Sequence, residues 1–258
     1  MTFDSPPARR GFTLIELLTV IAIIGILAAI IIPTVGKVRQ TASKATMVSN
    51  LRQIGVATAT FANDNRDKMP GLYVKGTDAG GINASFALGT GQNAYMNYSG
   101  SGTEPRAAIQ SIEQLGRYIT RVAVTVDGVG KLYCPVLESP AFATKRTPGS
   151  FPPSIELGVT LMDNKGALTY PFGNKASGIG SMNYSRLASS FNTSRRWMAI
   201  EVDKTTPTEV DATIKNASWY PDLPDQPVHG SGWLAVFFDG HVEMLQKNDP
   251  RLNNRVNL

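Results

Sequence analysis

One cysteine, Cys134, stands in 258 residues, so no internal disulfide can hold this chain together. A single thiol also says nothing about redox compartment, and stability is left to packing or to a bound ion. The sequence has no glycine-rich phosphate loop, no H-E-x-x-H pair and no D-x-D-x-D-G run, which removes common local signs of nucleotide, zinc-protease and EF-hand calcium chemistry. Internal repeats are absent too. What the chain does have is an apolar share of 42%, enough for a real core, in a length that suits one large domain or two small ones.

The formal charge of +5 invites a nucleic-acid reading until the charges are placed. Met1 to Gly11 carries +1 through Arg9, Arg10 and Asp4. Phe12 to Ala62 carries +3, from Lys37, Arg39, Lys44 and Arg52 against Glu16. Everything after Ala62 nets only +1, without the concentrated basic surface that phosphate binding needs. No nucleic-acid partner is expected.

The apolar residues are concentrated at the start. Phe12 to Ile32 reads FTLIELLTVIAIIGILAAIII, with Glu16 its only charge. As a helix it spans roughly 30 Å, the thickness of a hydrocarbon core. Arg9 and Arg10 precede it, so the positive-inside rule keeps the N-terminus cytoplasmic and carries the rest of the chain across the membrane. An ordinary secretory signal has a shorter apolar run and an A-x-A-like cleavage site, whereas Ala28 and Ala29 lie inside this run. An uncleaved signal anchor explains the hydrophobicity and the arginines but leaves Glu16 unexplained. A carboxylate near the start of a membrane helix is costly and marks a functional site with a partner to be named.

Arg9-Arg10-Gly11 followed by Phe12-Thr13-Leu14-Ile15-Glu16-Leu17 resembles the class III signal of type IV pilins and type II secretion pseudopilins. The resemblance implies a cut between Gly11 and Phe12 by a prepilin peptidase/methyltransferase on the cytoplasmic face, followed by N-methylation of Phe12. Pairing of Glu16 with the new Phe12 ammonium of a neighbouring subunit relieves the cost of a carboxylate in lipid and sets the stagger between subunits. The implied partners are further copies of the chain in a helical homo-polymer, other pilin-like subunits, an inner-membrane assembly platform and membrane lipid. Gly25 and Pro33 are the helix-weakening residues of the segment. Pro33 stands where the family commonly has a proline, so either a kink or local melting between the two, or a simple bend at the membrane exit, is expected.

Helical periodicity resumes after Pro33 with Val35, Val38, Ala42 and Ala45, then Met47, Leu51, Ile54, Thr58 and Phe61. A continuous helix over 12–62 reaches roughly 75 Å, more than a bilayer needs, so its second half has to pack on the C-terminal region. Asn63-Asp64-Asn65 and Met69-Pro70-Gly71 supply stop signals. The expected organisation is a leader over 1–11, a transmembrane helix over 12–32, an amphipathic stem over 33–65 and a globular head over 66–258.

Within the head, Gly80 to Gly102 is the most loop-like stretch and Ser111 to Tyr118 a candidate short helix. Strand candidates are Arg121 to Val126, Gly158 to Met162, Trp197 to Val202, Trp233 to Phe238 and His241 to Leu245. The fold class expected is α+β, a long N-terminal helix packed on an antiparallel β-sheet. Asp239-Gly240 favours the positive φ angles of a tight turn joining the last two strands as a hairpin. With His229 ten residues before Asp239, the segment resembles the His-x9-Asp-Gly signature of prepilin-like proteins abundant in planctomycetes and verrucomicrobia. Tyr133-Cys134-Pro135 and Ser181-Met182-Asn183-Tyr184 are softer points of similarity.

His229, Asp239 and His241 invite a metal reading. Yet His229 and Asp239 fall at opposite ends of one strand, roughly 20 Å apart, so a turn residue and a packed histidine are the better account and no metal site is assigned. Calcium, held by some secretion pseudopilins, would have oxygen ligands in Asp203, Asp211, Asp222 and Asp225. Cys134 beside Pro135 reads as a buried structural thiol rather than a nucleophile served by His229 or His241. No cofactor and no enzymatic activity are expected. The leading reading is a structural filament subunit linked to type II protein secretion. Its rivals are a surface pilin for adhesion, motility or DNA uptake, exposed on the cell when assembled, and a tethered envelope-binding module. In the last, Trp197, Trp219, Tyr220 and Trp233 would stack on sugars, although strand aromatics more often form core.

Overall fold

The computed structural model describes residues 13–71, 95–96, 99–100, 115, 118–119, 122–126, 129–133, 136, 139–140, 155–157, 161–163, 165–173, 179–206 and 220–253. The chain divides into two units, Met1–Ala42 and Ser43–Leu258.

Helix α1, Leu14–Asp64, has 51 residues and runs through Gly25 and Pro33 without interruption. In the first unit its large apolar side chains from Leu14 to Ile32 are exposed, as suits a helix solvated by lipid. Hydroxyls in and just after the apolar run bond to their own helix: Thr19 Oγ1 donates to the Glu16 carbonyl at 3.0 Å and Thr34 Oγ1 to that of Ile31 at 2.8 Å. Each hydroxyl thereby finds a partner on its own helix. It is the one helix among the described residues long and apolar enough to cross a membrane.

In the second unit α1 buries Met47, Asn50, Leu51, Ile54, Ala57, Thr58 and Ala62, a stripe at three- and four-residue spacing. The helix ends where the Asn and Asp run begins. The Asp67 N–H reaches back to the Ala62 carbonyl at 2.8 Å, with Arg66 and Asp67 both in the left-handed region at φ 56° and 64°. Leu51 and Ile54 are fully buried, each contributing about 1.5–3 kcal/mol of burial.

The main sheet has five antiparallel strands in the order β1 (Tyr95–Met96), β5 (Ile155–Leu157), β8 (Trp197–Glu201), β9 (Gly232–Phe237) and β10 (Val242–Gln246). Strands β2 (Ser99–Gly100), β4 (Val129–Tyr133) and β3 (Val122–Val126) form a second sheet, and β6 (Leu161–Met162) pairs with β7 (Leu168–Thr169). Helix α2 is Tyr184–Ser190. A long helix with antiparallel sheets is the α+β class the residue pattern implied.

Strand β9 is apolar on both faces because both are covered. Leu234, Val236 and Phe238 join the core that contains Met47, Leu51 and Ile54, while Trp233, Ala235 and Phe237 join Trp197, Ile200, Leu245 and Leu252. Its neighbour β8 meets this alternation with a bulge. Trp197 faces Phe237 and Ala199 faces Val236, leaving Met198 as the extra residue, so Met198 and Ala199 both reach the helix-side core.

Several details differ from expectation. The β9–β10 connection is not a two-residue turn with both residues at positive φ. Phe238, Asp239 and Gly240 form a three-residue loop, closed by Gly240 N–H to Phe237 O and Phe237 N–H to His241 O, each 2.9 Å, with Gly240 alone of the three at positive φ, 89°. This is a turn ended by a left-handed glycine, which fits the twist of the paired strands. Strand β5 precedes the expected Gly158 to Met162 segment, of which 158–160 lie outside the described residues. Two short strands, β1 and β2, both fall inside the stretch read as loop, 80–102. Of Ser111 to Tyr118, only Leu115, which is helical, and Tyr118 are described. The hairpin comes close to α1 at Gly55, where an added Cβ would meet Val236 Cγ2 at 3.2 Å and Gly240 Cα at 3.5 Å.

Candidate functional site

Gly11 and Phe12 lie outside the described residues, and the site becomes visible at Thr13. Thr13 precedes the first helical residue, and its N–H and Oγ1 donate to Glu16 Oε2 at 2.8 and 2.7 Å. The Glu16 N–H returns a bond to Thr13 Oγ1 at 3.3 Å. This is a capping box, two groups at a helix start satisfying each other. It holds the one acidic side chain of the apolar run at the helix N-terminus, where the macrodipole favours negative charge. Thr13 escaped the sequence reading, although T-x-x-E before an apolar run is its local signal.

At the other end, the structure separates His229 from the Asp239-Gly240 pair of the His-x9-Asp-Gly signature. His229 is enclosed, its Nε2 3.1 Å from Glu201 Oε1. Asp239 sits in the hairpin loop, its Oδ1 2.6 Å from His241 Nδ1. Gly240 supplies the positive φ. The histidine and aspartate are therefore held by different partners.

Around the hairpin, His241 stacks on Phe237, with ring centres 4.2 Å apart at 12°. Arg251 lies over the same Phe237 ring at 5.5 Å. Its guanidinium grips both Glu243 oxygens, at 2.7 and 2.9 Å, and Asp249 at 2.7 Å. Hydrogen bonds from Arg251 hold the Glu243 and Asp249 carboxyls below the ordinary range, and the guanidinium is raised in turn. On the stem side, Tyr184 donates its hydroxyl to the Phe238 carbonyl at 2.7 Å; burial first, and the Asp239 charge second, push that phenol up.

The aspartates considered for calcium have other occupations where they are described. Asp203 accepts the Trp233 indole N–H at 2.6 Å and the Thr205 N–H and hydroxyl at 2.6 and 2.7 Å. Asp225 pairs with Lys204 at 2.8 Å. Asp211 and the side chain of Asp222 fall outside the described residues. Among the described residues no group of three or more His, Cys, Asp or Glu side chains could hold a metal ion. Trp197 and Trp233 are buried, the former donating its indole N–H to Leu252 O at 3.2 Å, so neither offers a face to a sugar. Trp219 and Cys134 lie outside the described residues.

A family model for the prokaryotic N-terminal methylation motif matches residues 6–32, which take in Gly11, Phe12 and Glu16. The type IV major pilin protein PilA of Myxococcus xanthus (strain DK1622) is 45% identical over 58 residues, 22% of this chain and 26% of that protein. The match thus spans little more than a quarter of the relative's length. No solved structure matches the chain. An apolar helix alone would identify only an anchor, but joined to a methylation motif and a pilin relative it makes the N-terminal part of the chain similar to that of type IV pilin-like prepilins.

Proposed function

We propose that the chain is a structural subunit, not an enzyme, of a membrane-anchored helical filament that works with type II protein secretion. In this reading a prepilin peptidase removes residues 1–11 and methylates Phe12. The N-terminus stays on the cytoplasmic side of the inner membrane and the second unit lies in the periplasm. Neighbouring copies and other pilin-like subunits then assemble on an inner-membrane platform.

The observation that carries the proposal is Glu16 within an exposed apolar helix, its carboxylate bonded, among the described residues, to Thr13 three positions before it. A carboxylate in that setting is costly in lipid and gains from an ammonium partner. Cleavage after Gly11 creates such a group at Phe12, next to Thr13, and a staggered neighbour would present it at the depth of Glu16.

The test compares Gly11→Ala with Glu16→Ala in the producing cell, following processing by mass and assembly by sedimentation of sheared filaments. Gly11→Ala is expected to leave an uncut precursor, and Glu16→Ala to be cut but to assemble poorly. Normal filaments from both would overturn the proposal.

A second reading, a surface type IV pilin, is favoured by the name of the Myxococcus relative, a major pilin. Immunolabelling distinguishes the two: filaments outside the cell support the surface pilin, and filaments confined to the envelope support the secretion role.

A further inference from the structure

The filament reading makes no use of His229. Its side chain is 0% exposed and that of Glu201, its neighbour on β8, is 4% exposed. Neither ring nitrogen makes a well-directed hydrogen bond among the described residues; Nε2 faces Glu201 Oε1 at 3.1 Å, close enough for attraction but off the line of a hydrogen bond. The carboxylate is better served. Glu201 Oε1 accepts from Ser139 Oγ at 3.1 Å and Oε2 accepts from the Leu234 N–H of β9 at 3.3 Å. A buried imidazole with so few partners is costly by itself, and its contact with Glu201 is what offsets that cost.

The other half of the signature lies beyond the far end of β9. Gly240 turns the chain with its positive φ, and it lies against Gly55 of α1, where the missing side chain of Gly55 lets the hairpin approach the helix. His229 stands three residues before β9 begins and Asp239 two after it ends. The spacing of the signature is the length of this strand with its two approaches.

We propose that the His-x9-Asp-Gly signature is a two-ended clamp on the central strand β9. His229 fixes the start of the strand to β8 through Glu201, with Ser139 as the third member. Asp239-Gly240 fixes its end against α1 at Gly55. Glu201, Ser139 and Gly55 are the partners of the signature elsewhere in the chain. A shared ligand is disfavoured because His229 is sealed from solvent while Asp239 is engaged by His241. The clamp stands independently of which filament the chain builds.

The test uses the full chain in detergent micelles, with thermal unfolding and hydrogen–deuterium exchange over β9 as the two measurements. His229→Leu and Glu201→Leu each strand a buried polar partner and are expected to lower the midpoint by roughly 10 °C. The double variant His229→Leu/Glu201→Leu removes both groups, though it leaves Ser139 and the Leu234 N–H without their acceptor, and should lose clearly less than the sum of the two single losses. Glu201→Gln keeps the shape and a weaker acceptor. It is expected to remain folded while exchange at the Leu234 amide rises about tenfold. A His229→Leu chain with wild-type midpoint and exchange would overturn the proposal. So would a wild-type midpoint for Glu201→Gln with no change at Leu234, or singles whose losses simply add in the double variant.

Discussion

Replacing Gly240 by alanine isolates the backbone requirement of the hairpin loop. Its φ is +89°, and a Cβ built there meets nothing within 4 Å, so size is not at issue. An L-residue in the left-handed region costs roughly 1–2 kcal/mol. Loss of glycine's freedom in the unfolded chain returns about 0.4–1 kcal/mol of this. The net loss is about 1 kcal/mol, a fall of roughly 2–4 °C in the unfolding midpoint for a unit of this size. Buried Trp197 and Trp233 lie on the strands beside the loop, so tryptophan fluorescence during heating of the full chain in detergent reports the transition. Because the site is open, the order should follow conformational preference rather than bulk. Asparagine, which tolerates this region, is expected to lose less than alanine, and β-branched valine more. An alanine variant as stable as the wild type, or valine equal to asparagine, would refute the argument that the loop selects glycine through φ.

Two shorter predictions concern the second unit. The Asp67 carboxyl is held below its ordinary range, chiefly by the Ser185 hydroxyl, so its contribution is full above about pH 4 and fades as pH falls through the lowered folded value. The midpoint difference between wild type and Asp67→Asn should be constant from pH 7 to 5 and shrink below pH 4; a difference that grows in acid would contradict it. Trp233→Phe keeps an aromatic ring but removes the indole donor to buried Asp203 and leaves a small void, and should lower stability by about 1.5–3 kcal/mol or somewhat more with an unchanged urea m-value.

Which features were legible in the sequence follows from how far apart their causes lie. The membrane helix and its processing motif are local: an apolar run, two arginines before it, and Gly11, Phe12 and Glu16 at short spacing. The hairpin was half legible, since Asp-Gly marks a turn, but whether one residue or two takes positive φ depends on Val236 pairing with Val242. The bulge at Met198 has no local signal, because it reconciles β8 with the two covered faces of β9. Helix α2 was missed for a related reason. Asn183 at its N-cap makes no side-chain cap, and Asp67 caps it instead, accepting from the Ser185 N–H and hydroxyl across 118 residues. Likewise, nothing within the signature points to Glu201 as the partner of His229.

Thr13 shows how the capping box and the proposed assembly chemistry depend on each other. Before assembly the Glu16 carboxylate needs donors, and Thr13 supplies two, from N–H and Oγ1. The same bonds order the first turn of α1, where the Phe12 ammonium of one subunit and the Glu16 of the next would have to meet. Thr13→Val removes the hydroxyl, leaves the backbone donor and keeps Glu16, so the charge that attracts a neighbour survives while its orientation loosens. Thr13→Ser restores the hydroxyl. All three of Thr13→Val, Thr13→Ser and Glu16→Ala are expected to be cut normally, because Gly11 and Phe12 are intact. Filament yield should then fall in the order wild type, Thr13→Ser, Thr13→Val, Glu16→Ala, measured as sheared filament per unit of processed subunit. Were Thr13→Val to assemble like the wild type, the capping box would matter only to the isolated helix. Were Thr13→Ser to fail as badly as Glu16→Ala, the threonine would act through its methyl group, against neighbours in lipid, rather than through Glu16.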